Sequence, residues 1–282
     1  MSPEINSINS KLNRKQLMSR SWFTFILLVL FGLITPDGRA IAAELVPREW
    51  KVDGVIREAL IAVPPTAITK PSPVVFGFHG HGGSMKNAAR SFRIHELWPE
   101  AIVVYMQGLP TPGQITDPEG KKPGWQKTKG DQSDRDLKFF DAVFASLKTD
   151  YKVDEKQVYS MGHSNGGSFT YLLWAERSDI FAAVAPSGAA ALKSRNSLKP
   201  KPMLHVAGDN DPLVKYAWQQ LMIDAVKKTN ECGDGVPWEG KCTQFPSKIG
   251  APVVTFVTSN GHKFPEEAPA LIVTFFKQHQ QQ

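Results

Sequence analysis

Beyond residue 43 the sequence alternates between two periodicities, and that alternation leaves few folds open. Short apolar runs, "PVVFGF" (73–78), "AIVVY" (101–105), "QVYSM" (157–161), "FAAVAP" (181–186), "PMLHVA" (202–207) and "PVVTFV" (252–257), read as strands buried on both faces. Between them, residues 84–97, 133–149, 165–177, 214–229 and 265–279 read as helices. In 133–149, Leu137, Phe140, Phe144 and Leu147 fall on one helical face, and Ser133 with Asp136 has the spacing of a capping box. Such β-α alternation predicts an α/β fold with a mostly parallel central sheet and helices on both faces. Asp53-Gly54, between two alternating runs, predicts an N-terminal β-hairpin. The polar loop 107–132 is long enough to read as functional or mobile.

One junction in this pattern carries chemistry. In "YSMGHSNGGSF" (159–169), Ser164 is centred in Gly162-His163-Ser164-Asn165-Gly166. With 22 glycines in 282 residues, a Gly-x-Ser-x-Gly match alone is weak, so its context decides. Here it falls where a predicted strand ends and a predicted helix begins. Small residues on either side allow a tight turn that raises the hydroxyl over the helix N-terminus, the arrangement called a nucleophile elbow. A serine hydroxyl needs a base, and the base needs an orienting carboxylate. "HVAGDNDPLVKY" (205–216) follows a later strand and offers Asp209 and Asp211, while "VTSNGHKFP" (257–265) follows the last strand and offers His262. The order Ser, Asp, His is the one this architecture uses.

Acyl transfer also needs backbone donors for an oxyanion. Asn165, after the serine, supplies one. The loop "FHGHGGS" (78–84) supplies the other, assigned to His81. No carboxylate cluster accompanies His79 and His81, so the sequence reads without a metal site, and no cofactor motif is present. The phosphate-loop pattern is absent as well.

The formal charge is +6, half of it in residues 1–42. The remaining +3 shows no arginine-rich stripe, which argues against nucleic acid. Residues 1–42 read as a signal peptide: a basic stretch to Arg20, the apolar run "WFTFILLVLFGLI" (22–34), and Ala40-x-Ala42 as the cleavage signature. A retained anchor is the competing reading. Cleavage leaves an exported catalytic domain, 43–282, free of the membrane, with its oligomeric state open. In an oxidising compartment, Cys232 and Cys242 in "NECGDGVPWEGKCTQF" are expected to form a disulfide.

These motifs together resemble the α/β-hydrolase superfamily, and within it the secreted esterases of polyhydroxybutyrate depolymerase-like and feruloyl-esterase-like type. The resemblance covers residues 45–280 and is carried by "FHGHGG", "GW" (124–125), "DYKVDEKQVYSMGHSNGG", "GDNDPLVKY" and "NGHKFP". It implies an α/β-hydrolase fold and a secreted serine esterase acting through Ser164, His262 and Asp211. Asp211 is taken because Gly208, Asp211 and Val214 match the family's spacing, with Asp209 as the fallback. The implied substrate is a small or oligomeric ester, a hydroxyalkanoate in the first reading and a feruloyl or acetyl ester of plant polysaccharide in the second. Trp125, in the polar loop, is a candidate substrate contact, whereas Phe169 and Trp174 read as core. A serine peptidase of related fold and a non-catalytic binding protein are the remaining alternatives.

Overall fold

The computed structural model describes residues 42–113 and 115–281. The expected signal peptide therefore lies outside the described residues, apart from its last position. The hairpin comes first, β1 (Leu45–Val52) and β2 (Val55–Ala62), turning through Asp53 and Gly54, both at positive φ. There follow β3 (Ser72–Phe78), α1 (Met85–Phe92), α2 (Ile94–Leu97) and β4 (Ile102–Met106). The single helix expected over 84–97 is broken at Arg93, which adopts the left-handed conformation at φ 50°. Loop 107–132 contains a two-stranded ribbon, β5 (Leu109–Pro110) with β6 (Pro123–Gly124).

The second half comprises α3 (Arg135–Asp150), β7 (Val153–His163), α4 (Asn165–Glu176), β8 (Ala183–Ser187) and β9 (Met203–Gly208). It continues with α5 (Tyr216–Thr229), β10 (Val236–Pro237), β11 (Thr243–Phe245), β12 (Val253–Thr258) and α6 (Ala268–Lys277). The main sheet runs β1-β2-β4-β3-β7-β8-β9-β12-β11-β10. Its six central strands, β4 to β12, are parallel; the hairpin at one edge and β11-β10 at the other are antiparallel.

Alternate strand residues feed two cores. Val74, Phe76 and Phe78 face α3, α4 and α5, while Val75, Val103 and Tyr105 face α1, α2 and α6. From β3 the chain passes to β4 on one side, and from β7 onward it builds out on the other. The carboxyl ends of β3 and β7 therefore flank the topological switch point, where open α/β sheets bind ligands.

Two expectations are corrected here. Cys232 and Cys242 are free thiols. Cys232 packs on the α3–α5 side and Cys242 is buried on the opposite side of the sheet, so the short spacing in sequence does not bring the sulfurs together. The capping box is also absent. Ser133 sits at φ 55° in the turn before α3, and the side chain of Gln126 accepts from the Asp136 and Leu137 backbone N–H groups instead. Asp136 turns inward, where its carboxylate accepts from Arg57 Nη2 at 2.8 Å and from the Gln126 N–H at 2.8 Å. The Arg57 guanidinium lies 4.2 Å from the centre of the Phe139 ring and also donates to the carbonyls of Arg135 and Gln107. Burial draws the guanidinium below its usual range, against the pull of Asp136. Removing one partner of such a pair strands the other charge. Asp136→Ala should destabilise the protein by about 3–5 kcal/mol, read by denaturant unfolding; a loss under about 1 kcal/mol would refute this account.

Candidate functional site

The turn between β7 and α4 is set by sterics. Ser164 has φ 57° and ψ −121°, a region that costs a non-glycine residue about 1–3 kcal/mol. Its N–H donates to Ser187 O at 2.8 Å, tying the turn to β8. A Cβ at Gly166 would stand 2.1 Å from the Phe78 carbonyl oxygen, and one at Gly162 would stand 2.4 Å from Gly166. Both glycines are therefore needed for α4 to start against the ends of β3 and β7.

Ser164 Oγ lies 2.8 Å from His262 Nε2, and His262 Nδ1 lies 2.7 Å from Asp211 Oδ2. With Nδ1 donating to the carboxylate, Nε2 is left to accept from the hydroxyl. Asp211 is buried, and its Oδ1 accepts from the Leu213 and Val214 N–H groups. Asp209 does not reach the imidazole; it accepts from Ser259 Oγ at 2.9 Å. The loops carrying Asp211 and His262 are joined by Asn210, which donates to Ser259 O and accepts from the Gly261 N–H. A Cβ at Gly208 would stand 2.1 Å from Gly261 O, so that glycine permits the close approach.

Sequence reasoning missed the supports beneath this line. His163 fills the space behind His262, with ring centroids 4.9 Å apart. Its Nε2 lies 3.0 Å from the His262 carbonyl and its Nδ1 lies 3.1 Å from Ser187 Oγ. Gln219 Nε2 donates to Asp211 Oδ2 at 3.2 Å, its Oε1 lies 3.3 Å from His205 Nε2, and His205 Nδ1 lies 2.9 Å from Tyr171 OH. This buried chain links the acid to α4. Only Gly162-His163-Ser164 hinted at a partner; His205 and Gln219 sit inside apolar-patterned elements and gave no signal.

The loop after β3 lies beside the serine: a Cβ at Gly80 would be 3.4 Å from Ser164 Cβ. Among the described residues, the His81 backbone N–H donates to no protein acceptor. Asn165 opens α4, where the first N–H groups have no intrahelical acceptor. His79 is buried and pins the loop: Nδ1 lies 2.7 Å from Gly80 O and Nε2 accepts from the Gly108 N–H. The His81 imidazole lies 3.1 Å from Asp117, whose carboxylate falls below its usual range mainly because the Lys122 N–H donates to it.

Trp125 is not a substrate contact. It is fully buried, lies 5.2 Å from Phe78 and stacks on Phe169 at 5.3 Å, and its indole N–H donates to His79 O. Its backbone N–H and carbonyl pair with the Asn165 side chain. A Cβ at Gly124 would stand 2.6 Å from His81 Nδ1. "GW" therefore clamps the loop after β3 to the start of α4. Phe169 and Trp174 are core, as expected.

A cleft of about 650 Å³ opens over Ser164 and His262. Loop 107–132 contributes Ile115 and Lys127, the segment after β8 contributes Leu192 and Lys193, and the β9–α5 region contributes Leu213 and Trp218. Trp218 remains 42% exposed. The arrangement offers an activated hydroxyl, two backbone donors and an apolar wall, which together can perform acyl transfer.

No family model matches the chain. It is 26% identical over 211 residues to feruloyl esterase C of Emericella nidulans, covering 73% of this chain and 75% of that one. To the probable feruloyl esterase C of Aspergillus niger it is 27% identical over 226 residues, covering 76% and 78%. With the Aspergillus flavus counterpart it shares 26% identity over 182 residues, which is 62% of this chain and just under two thirds (63%) of the relative. Among solved structures it is similar to a ferulic acid esterase (TM-score 0.61, 15% identity, covering 84% of this chain and 99% of that one). A thermostable esterase is similar as well (TM-score 0.58, 16% identity, covering 88% and 70%). At such identities the likeness is one of fold. Among the described residues no helix is long and apolar enough to cross a membrane.

Burial holds the His79, His163 and His205 imidazoles down at about 4. Between that value and the ordinary 6.5, the unfolded chain takes up protons that the folded chain refuses. Stability is thus full above pH 6.5 and is lost as pH falls toward 4. The melting temperature should drop between pH 7 and pH 5, with a shallower slope in His205→Asn. Equal slopes in the two proteins would count against His205 as a contributor.

Proposed function

We propose that this chain, a member of the α/β-hydrolase superfamily related to its esterases, is a carboxylic ester hydrolase with Ser164 as nucleophile. The observation that carries the reading is the unbroken line from Ser164 Oγ through His262 to Asp211, at 2.8 and 2.7 Å. As Oγ attacks the ester carbon, its proton passes to His262 Nε2 and the carbonyl π pair moves onto oxygen. The backbone N–H groups of His81 and Asn165 face that oxyanion. Collapse breaks the bond to the alkoxy oxygen, which takes the proton from Nε2 and leaves an acyl-serine. Water then repeats the sequence and releases the acid. Asp211 keeps the imidazole in the competent tautomer and stabilises the imidazolium.

For the substrate we infer a soluble feruloyl-type ester, the class named for the fungal relatives, taken against the apolar wall of the cleft. Hydroxybutyrate oligomers, the other class the sequence resemblance implies, are the competing substrate. Methyl ferulate against such oligomers decides between them, and peptide chromogens test the peptidase reading. The basic stretch, apolar run and Ala40-x-Ala42 of the N-terminus support export. Secreted protein should begin near residue 43; a chain that stays cell-bound with residues 1–42 intact would sink that reading.

Ser164→Ala and His262→Ala should each lower kcat on a p-nitrophenyl ester by at least about 10³-fold, with the double variant hardly worse. Asp211→Asn should cost about 10²–10⁴-fold through the wrong tautomer, and Asp209→Asn far less. A fluorophosphonate should label the Ser164 peptide alone. Substantial turnover in Ser164→Ala, or labelling elsewhere, would overturn the assignment.

A further inference from the structure

We propose that the cleft beside Ser164 selects esters that also carry a carboxylate, received by Lys127 and Lys193. The proposal rests on the ester-hydrolase reading and names a substrate class for that same site: a feruloyl-type ester meets it through a carboxylate on its alcohol part, and a hydroxybutyrate oligomer through the one at its acid end.

Both lysines line the cleft that holds Ser164 and His262. They come from different segments, Lys127 from loop 107–132 and Lys193 from the stretch after β8. Among the described residues neither ammonium has a carboxylate within ion-pair distance, whereas Lys129, Lys138, Lys148 and Lys199 each pair with one elsewhere. The carboxylate on the cleft lining, Asp131, is occupied by the backbone: its Oδ2 accepts from the Lys127 and Thr128 N–H groups. Asp211 lies beneath His262 with both oxygens engaged. Lys127, Lys193 and Asp131 therefore carry a net positive charge beside the nucleophile.

The two cations also feel each other. Burial holds the Lys127 ammonium below its usual range; the attraction of Asp131 opposes this and outweighs the smaller repulsion from Lys193. Around them the wall is apolar, formed by Ala190, Ala191, Leu192, Leu213 and Trp218. A neutral ester lying over Lys127 would strip water from a half-buried ammonium and return no partner, while Lys193 remains exposed. A carboxylate on the ester removes that penalty by accepting charge-assisted hydrogen bonds. It can belong to the acyl part or to the alcohol part.

Matched substrates separate these sources. For the acyl side, the mono-p-nitrophenyl ester of glutarate is compared with p-nitrophenyl pentanoate. For the alcohol side, 3-(butyryloxy)benzoate is compared with phenyl butyrate. In Lys127→Gln/Lys193→Gln, the anionic-to-neutral ratio of kcat/KM should fall at least about fivefold in one arm, and 1 M salt should compress the same ratio in the wild type. Lys193→Glu should lower it further. Independently of turnover, glutarate titrated into Ser164→Ala and followed by tryptophan fluorescence should bind at least about fivefold more tightly than to Ser164→Ala/Lys127→Gln/Lys193→Gln. Unchanged ratios in both arms overturn the proposal and leave the esterase standing. If no ester is hydrolysed, the esterase reading falls, and the glutarate titration alone decides for or against the lysines.

Discussion

The start of α4 touches the ends of β3 and β7 more closely than any side chain would allow, and the site is built on that contact. Gly166 lies against the Phe78 carbonyl, and Gly162 faces Gly166 across the turn. With the helix so near, the chain can leave β7 only through a residue at positive φ, and that residue is Ser164. Strain and exposure of the hydroxyl are thus one geometric fact. The same approach brings the Asn165 amide and the loop after β3 to a common edge. Moving α4 outward by the width of a methyl group would separate the Ser164 hydroxyl from the loop after β3.

Around this contact the protein uses buried neutral histidines as rigid hydrogen-bonding struts. His79 braces the loop after β3 from within, His163 sits behind His262 and reaches its carbonyl, and His205 connects Gln219 to Tyr171. Each ring has a nitrogen on either side, so each can join two elements that no single backbone hydrogen bond spans. Burial keeps them uncharged, which suits a strut: a protonated ring would lose an acceptor and add a charge next to His262 or under the sheet. Trp125 does related work from the opposite side, with its ring in the core and its indole N–H on His79 O.

What the sequence disclosed and what it hid divide along the same physical line. Strands with continuous apolar runs and helices with a clear face were legible, as was the Ser, Asp, His order at strand ends, because each is a local pattern. Asp211 over Asp209 came from spacing, and the geometry agrees: one faces His262 while the other meets Ser259. Trp125 misled because a polar neighbourhood in sequence suggested exposure, whereas tertiary packing folds the loop back and buries the ring. Ser133 and Asp136 have a cap's spacing, yet Arg57, 79 positions from Asp136 along the chain, claims the carboxylate. The cysteines were read through their short separation, which says nothing about which face of a sheet each one occupies. The Trp125 and Asp136 misses each involved a partner distant in sequence, whereas the break of the 84–97 helix at Arg93 is a local backbone choice.

The buried Arg57–Asp136 pair reaches the cleft through one further step. Asp136 Oδ2 holds the Gln126 N–H, while the Gln126 side chain caps α3 and also reaches Asp134. Lys127 is the next residue, and Asp131 holds its N–H in turn. The stretch carrying this cation is therefore anchored to a helix end and a buried charge, although it lies in a long polar loop. Lys193 is held less firmly: the neighbouring Ser194 N–H is tied back to Ala191 O, and its own side chain is exposed. A fixed backbone limits the region that each ammonium can sweep on its flexible four-carbon stem. Ser164, Asp211 and His262 stand in turns just past strand ends, where the sheet sets their register. Lys127 and Lys193 stand instead on loop segments tied by turns, so the strand-end set and the loop set can change independently in sequence.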